Sequence, residues 1–358
     1  MKNLLINTYL TYSVITSEEK KKIVNYFKDS KLIYTDKKKS IAGALDCSDS
    51  NIVNNRISKI LDKKELLKDL ELAELNLKYR YTTLFKIVDF NESKDSIFEN
   101  IISKSINVSD IKNLSDCCDK SIPNFILLQD TEDYIILKIN YIVQHEFYEK
   151  SFIKYPILLL FYKKEGIIEI RLHKLPDTFK YSDSVYSDYI EKVLAKAAYD
   201  FGFKRVKVNF RKIVSNIMKS IENESDNITD TFRNYSSAYG SNIRLKAADR
   251  GKNKFSIPII GDIERRIKND PRIYKHPEVV QALREILSKA FDVNDLSRVA
   301  ISWFGNNNSS EYNIEFIHSY MGRDFSVLKY QKCYLELEDA KNVTRDIMQY
   351  NCNIEEIE

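Results

Sequence analysis

The chain has 358 residues, 43% of them hydrophobic and 30% charged, and 56 Lys and Arg against 52 Asp and Glu leave a formal net charge of +4. This apolar content excludes a disordered chain, and the length admits two or three domains. The charge balance is too mild to indicate a nucleic-acid partner by itself, and no apolar run approaches the roughly 20 residues of a membrane span.

The first sixteen residues, MKNLLINTYLTYSVIT, contain one Lys and an apolar stretch broken by Asn7, Thr8, Thr11 and Tyr12. They lack a small-residue cleavage site, so no secretory leader is expected. Residues 17–29 read as a helix capped by Thr16 or Ser17, with Ile23, Val24 and Phe27 on one face. A short helix over 39–46, the turn DCSDS, a longer helix over 50–64 and a helical continuation LDKKELLKDLELAEL follow. From about residue 80 the period changes. TTLFKIVDF, NFILLQD, YIILKINYIV, YPILLLFY and GIIEIRLHK are strand-like, with helices expected near 94–106 and 187–203. FILLQ-DTED-YIILK and YPILLLFY-KKEG-IIEIRLHK read as hairpins, the second helped by Gly166. Residues 223–276 are polar and turn-rich and read as a basic linker. A helix at 277–292 with Pro277 in its first turn, strands in RVAISWFG, YNIEFIHSY and FSVLKYQKCYLELE, and a closing helix complete the chain.

The expected fold class is therefore α+β. The expected domains are an N-terminal helical module over 1–80, a central antiparallel sheet with helices over 81–222, the linker over 223–276, and a small C-terminal α+β unit over 277–358. The five cysteines are odd in number and form no C-x-x-C pair. No disulfide framework is expected, and a reducing cytoplasm fits.

The stretch SIAGALDCSDSNIVNNRISKIL (40–61) is the part of the chain that hints at a task. Ile41, Ala42 and Leu45 would face inward from the short helix, and Val53, Ile57, Ile60 and Leu61 from the longer one, at helical spacings. Ala42 is small where two steeply crossing helices would meet. Ser50 is a natural N-cap of the second helix, with Asp49 as an alternative. These are the requirements of a helix-turn-helix, and KYRYTTLFKI could supply a wing.

On these residues, the region around 15–80 resembles the winged helix-turn-helix DNA-binding domains of bacterial regulators, with the Lrp/AsnC-type and MarR-type modules nearest. The family's Val-x-x-Arg-Ile-x-x-Leu rhythm is carried by Val53, Arg56, Ile57 and Ile60. Asp46 stands where the family has a turn glycine, and the turn is one residue longer. The resemblance implies double-stranded DNA as partner and a possible homodimer. The residues placed to read or grip DNA are then Ser50, Asn51, Asn54, Asn55, Arg56 and Lys59, because Asn pairs with adenine and Arg with guanine in the major groove. Lys37, Lys38 and Lys39 would meet phosphates. Arg250, Lys252 and Lys254 lie in a second basic stretch, 244–275, with ten Lys and Arg against four acidic residues. That stretch reads either as added phosphate contacts or as a solvated linker.

No P-loop, dinucleotide fingerprint or nucleophile elbow is present. The four histidines are scattered, and His145-Glu146-Phe147-Tyr148-Glu149 lacks the second His of a zinc protease motif. No metal, cofactor or catalytic residue is therefore assigned. Glu169, Arg171 and His173 alternate with Ile168, Ile170 and Leu172, which reads as a solvent-facing strand surface or, less fittingly, a nuclease-like acidic edge. The functions that follow are a DNA-binding transcriptional regulator or a DNA-binding component of a mobile-element or phage-defence system. A nuclease with a dispersed site is an alternative. So is a non-catalytic interaction subunit that meets a protein partner through its C-terminal domains.

Overall fold

The computed structural model describes residues 2–12, 14–88, 94–118, 123–222, 228–236, 242–246, 266–267, 269–290, 296–304, 311–331 and 337–352. The chain divides into two compact units, Met1–Lys207 and Val208–Glu358. Both contain helices and sheet, and the α+β class holds. Among the described residues no helix is long and apolar enough to cross a membrane.

The first unit opens with helix α1 (Lys2–Ile6), which runs into a π-helical turn over 7–11. Helix α2 (Ser17–Asp29) follows. Thr16 caps it in a full capping box: its hydroxyl accepts from Glu19 N, while Glu19 accepts from Thr16 N. Ile23, Val24 and Phe27 are buried, as the periodicity requires. The short strands β1 (Ile33–Tyr34) and β2 (Leu45–Asp46) then pair in parallel. Helices α3 (Val53–Leu61) and α4 (Leu67–Ala73) complete a helical layer.

Behind this layer lies a sheet. Strands β3 (Tyr79–Ile87), β4 (Ile106–Asn107), β5 (Phe125–Asp130), β6 (Tyr134–Gln144), β7 (Phe152–Tyr162) and β8 (Ile167–His173) stand in the order β3-β8-β7-β6-β5-β4. All pairs are antiparallel except β4 with β5. The hairpins β5–β6 and β7–β8 fall where the turn residues place them, and Gly166 has the positive φ (64°) that the second turn requires. Strand β9 (Arg205–Lys207) adds a short pairing to the end of β3. Helices α5 (Lys94–Lys104), α6 (Leu114–Cys117) and α7 (Val185–Phe201) fill the connections.

The two faces of the sheet differ in chemistry. One face carries Ile139, Tyr155, Ile157, Phe161, Ile170 and Leu172. It meets α7 through ring contacts such as Tyr155–Tyr189 at 5.2 Å and Tyr81–Tyr186 at 4.4 Å. The other carries Lys138, Asn140, Lys154, Glu169, Arg171 and His173, all of them buried. Their partners come from the helical layer and from the sheet itself. Lys138 and Lys154 both pair with Glu71 and Glu74 on the last turns of the α4 region. Tyr9 of the π-helical turn donates to Glu74, and Asn140 Nδ2 donates to Glu71 Oε2 at 2.9 Å. Arg171 forks onto Glu169 at 2.6 and 3.0 Å. The expectation of a solvent-facing surface at Glu169, Arg171 and His173 is corrected: they are 0%, 2% and 4% exposed. Alternation marks two different faces, but here a layer of helices carrying complementary charge covers the polar one.

Three further expectations are corrected. Residues 39–46 form no helix. Lys37–Lys39 make one 3-10 turn, Gly43 takes φ +79°, and Leu45 and Cys47 donate to the carbonyls of Leu32 and Tyr34 at 2.9 Å each. Extended pairing across 32–47 therefore replaces the helix. The segment 79–87 forms no wing, because it is β3 and pairs along its length with β8. Within 223–276, where a linker was expected, Ile228–Ser236 and Asn242–Lys246 form the paired strands β10 and β11.

The second unit holds an antiparallel sheet in the order β11-β10-β12-β13-β14, with β12 (Leu296–Phe304), β13 (Glu311–Ile317) and β14 (Val327–Gln331). Helix α8 (Phe210–Glu222) buries Phe210, Ile213, Val214 and Ile217, and Phe210 meets Phe316 of β13 at 6.0 Å. Helices α9 (Pro271–Tyr274), α10 (Pro277–Ala290) and α11 (Leu337–Cys352) follow. Asn216 of α8 donates to the carbonyl of Tyr350 at 2.8 Å.

Candidate nucleic-acid interface

Helix α3 begins at Val53, three residues later than its sequence signal suggests. Ile52 occupies the N-cap position, and Ser50 acts two residues earlier, its hydroxyl accepting from Ile52 N at 3.1 Å. The inner face is Ile57, Ile60 and Leu61, all buried, with Val53 half-buried above them. Each fully buried Ile or Leu contributes about 1.5–3 kcal/mol, which fixes the rotation of the helix about its axis. The opposite face therefore presents Asn54, Asn55 and Ser58, all exposed, with Asn51 exposed just before the first turn.

The polar side chains around this face form three local groups. Asn55 Nδ2 donates to Ser50 Oγ at 3.0 Å. Lys20, from α2, donates through Nζ to Asn54 Oδ1 at 3.0 Å. Lys20 has a lowered pKa because it is partly desolvated by burial. Arg56 is half-buried. Its Nε donates to the carbonyl of Ser50 at 2.9 Å and its Nη2 to Asn51 Oδ1 at 3.4 Å. Lys59 Nζ donates to the carbonyl of Asp46 at 3.0 Å and forms an ion pair with Asp49 Oδ1 at 2.6 Å. Asp46 in turn accepts from Ser48 N and Ser48 Oγ at 2.8 and 2.6 Å, folding DCSDS into a tight turn. The cations of α3 thus point back onto the preceding loop.

The structure brings together Ser50, Asn51, Asn55, Arg56 and Lys59, with Asn54 beside them. Lys37, Lys38 and Lys39 are exposed on their own 3-10 turn, which Asp36 caps through Lys38 N at 3.0 Å. Arg250, Lys252 and Lys254 lie outside the described residues. The sequence reading missed Lys20, Asp46 and Asp49 as members of these groups. For Asp46 and Asp49 the signal was their place in the loop that leads into the helix carrying Lys59, and Lys20 gave none.

The charged layer of the first unit offers no open site. Glu71, Glu74, Lys138 and Lys154 have no exposed surface. Burial raises the Glu71 carboxyl, but Lys138 and Lys154 outweigh it and bring the group down to about 2. The same two effects hold Glu74 below its ordinary value. This is a sealed, charge-balanced lattice that joins helices to sheet. Among the described residues no group of three His, Cys, Asp or Glu could hold a metal ion. Cys47, Cys117 and Cys118 are buried thiols, and burial raises Cys47.

No protein-family model matches the chain, and no curated protein matches it.

Proposed function

We propose that the chain is a double-stranded DNA-binding protein that docks through helix α3. The observation carrying this reading is the row of amide side chains at Asn54 and Asn55, on the exposed face of a helix whose other face is locked by Ile57, Ile60 and Leu61, with Asn51 exposed just before its first turn. An α-helix fits the major groove, where an Asn amide both accepts from and donates to adenine. The exposed Lys37–Lys39 turn adds charge that phosphates would take up. The amide row is small and neutral, so it reads bases, while lysines supply affinity. A transcriptional regulator or a defence component would use the same helix, and a promoter footprint separates the two settings.

The test is titration of a labelled duplex against the wild type and the Asn54→Ala/Asn55→Ala variant, on cognate and scrambled sequences selected from a random pool. Loss of discrimination between the sequences supports the reading. Absence of duplex binding at low salt contradicts it. A second reading, an interaction subunit, is favoured by Phe147 and Tyr148, which stand 72% and 63% exposed beside each other after β6. It predicts no duplex affinity and a partner lost on Phe147→Ser/Tyr148→Ser substitution.

A further inference from the structure

The DCSDS loop does more than connect β2 to α3. Asp49 places a carboxylate oxygen 2.6 Å from the Lys59 ammonium, and the Asp46 carbonyl takes a second of its protons at 3.0 Å. A carboxylate and a carbonyl on one ammonium occupy the positions that oxygens of a phosphodiester would fill. Lys59 lies on the same helix as the amide row, so its contacts bear on the same surface.

The Asp49 carboxylate is not needed to hold the loop. Cys47 is fully buried and donates to the Tyr34 carbonyl at 2.9 Å, Asp46 closes its own turn through Ser48, and Arg56 clasps the Ser50 carbonyl at 2.9 Å. Asp49 itself is more than half exposed, and its ion pair faces water. Pairs of this kind are weak and exchange readily, because solvent screens both the attraction and its loss.

We propose that Asp49 is an intramolecular competitor for the DNA backbone: it holds Lys59 in the free protein and is displaced when a phosphate takes the ammonium. This rests on the DNA-binding reading and assigns to it both a contact and a brake. Asp49 also sets a threshold, because a phosphate approaching Lys59 must overcome repulsion from Asp49 and Asp46.

The experiment measures binding of a labelled duplex to the full chain by fluorescence anisotropy at several salt concentrations. Wild type is compared with Asp49→Asn, Lys59→Met and the double variant. Asp49→Asn keeps the side-chain shape at an exposed position, and circular dichroism checks the fold. The expected result is about two- to five-fold tighter binding for Asp49→Asn, weaker binding for Lys59→Met, and no gain from Asp49→Asn when Lys59 is Met. If wild type binds and Asp49→Asn binds no better, or if its gain survives in the double variant, the brake is overturned and DNA binding stands. If wild type leaves duplex DNA unbound even at low salt, the DNA-binding reading falls and takes the brake with it.

Discussion

Glu19 Oε1 lies 2.9 Å from His173 Nε2, with both side chains buried, and this contact ties helix α2 to the end of strand β8. The same carboxylate accepts from the backbone N–H groups of Thr16 and Lys78 at 2.8 Å each. One residue therefore caps its helix, fixes the start of β3 and bridges to the sheet.

Burial raises the Glu19 carboxyl, but the hydrogen bond and charge of His173 and the two N–H groups outweigh it and bring it to about 2 from 4.5. The unfolded chain therefore binds the proton first, and stability rises with pH through this window. The contribution is complete above pH 4.5 and is lost as pH falls towards 2. It amounts to roughly 3 kcal/mol. Glu19→Gln is expected to lower stability at pH 7 by about 2–3 kcal/mol. Urea titrations across pH should show the gap between wild type and variant closing below pH 4.

The buried lattice gives a second prediction. Lys154 pairs with Glu71 Oε1 at 2.5 Å and Glu74 Oε1 at 2.8 Å. Lys154→Met leaves two buried carboxylates facing Lys138 alone, at an expected loss of about 3–5 kcal/mol. Replacing all four charges together, with Met for both Lys and Gln for both Glu, should recover most of that loss. Denaturation midpoints of the two variants measure the difference, and equal losses would show that packing rather than charge pairing holds this layer.

The α+β class, the two hairpins, the cap at Thr16 and the inward set of α3 were all legible in the sequence. Each depends on neighbours within a few residues. The charged layer was not legible, because Lys138 and Lys154 find their carboxylates more than sixty positions away. A local sign existed: Leu67, Leu70, Glu71 and Glu74 share one helical stripe, so two acidic residues sat where a core-facing helix carries apolar ones. The strand 45–46 was hidden too, since helical spacing in Ile41, Ala42 and Leu45 competes with the break that Gly43 introduces. In the candidate interface, the amide face followed from periodicity. The turning of Arg56 and Lys59 onto the loop did not, because long cations choose partners by tertiary proximity.

Gly43 tests the extended connection directly. Its φ of +79° disfavours any L side chain, yet nothing lies within 4 Å of where a Cβ would stand. Gly43→Ala should therefore reduce stability by about 1 kcal/mol through the backbone alone. A loss of that size in thermal or urea melting fits the turn, and a gain would indicate the helix that the apolar spacing suggests.

In the second unit, burial and then the charge of Arg211 lower the His318 imidazole to about 3 from 6.5, while its Nδ1 contacts Ser326 Oγ at 2.9 Å. The neutral ring is held in the fold and the unfolded chain binds its proton more readily. Stability from this group is complete above pH 6.5 and is lost as pH falls towards 3, by roughly 5 kcal/mol at most. His318→Gln should flatten the pH dependence of unfolding between 6.5 and 3, measured by circular dichroism.

The salt dependence of duplex binding by wild type and by the Lys37→Ala/Lys38→Ala/Lys39→Ala variant probes DNA docking most sharply. Measurable binding is expected at low salt, falling linearly with salt on a logarithmic plot. Removing three phosphate contacts should reduce the slope by up to about 2.7, with the thermal midpoint unchanged because the three side chains are exposed. A wild type that leaves duplex DNA unbound at low salt would contradict the central claim.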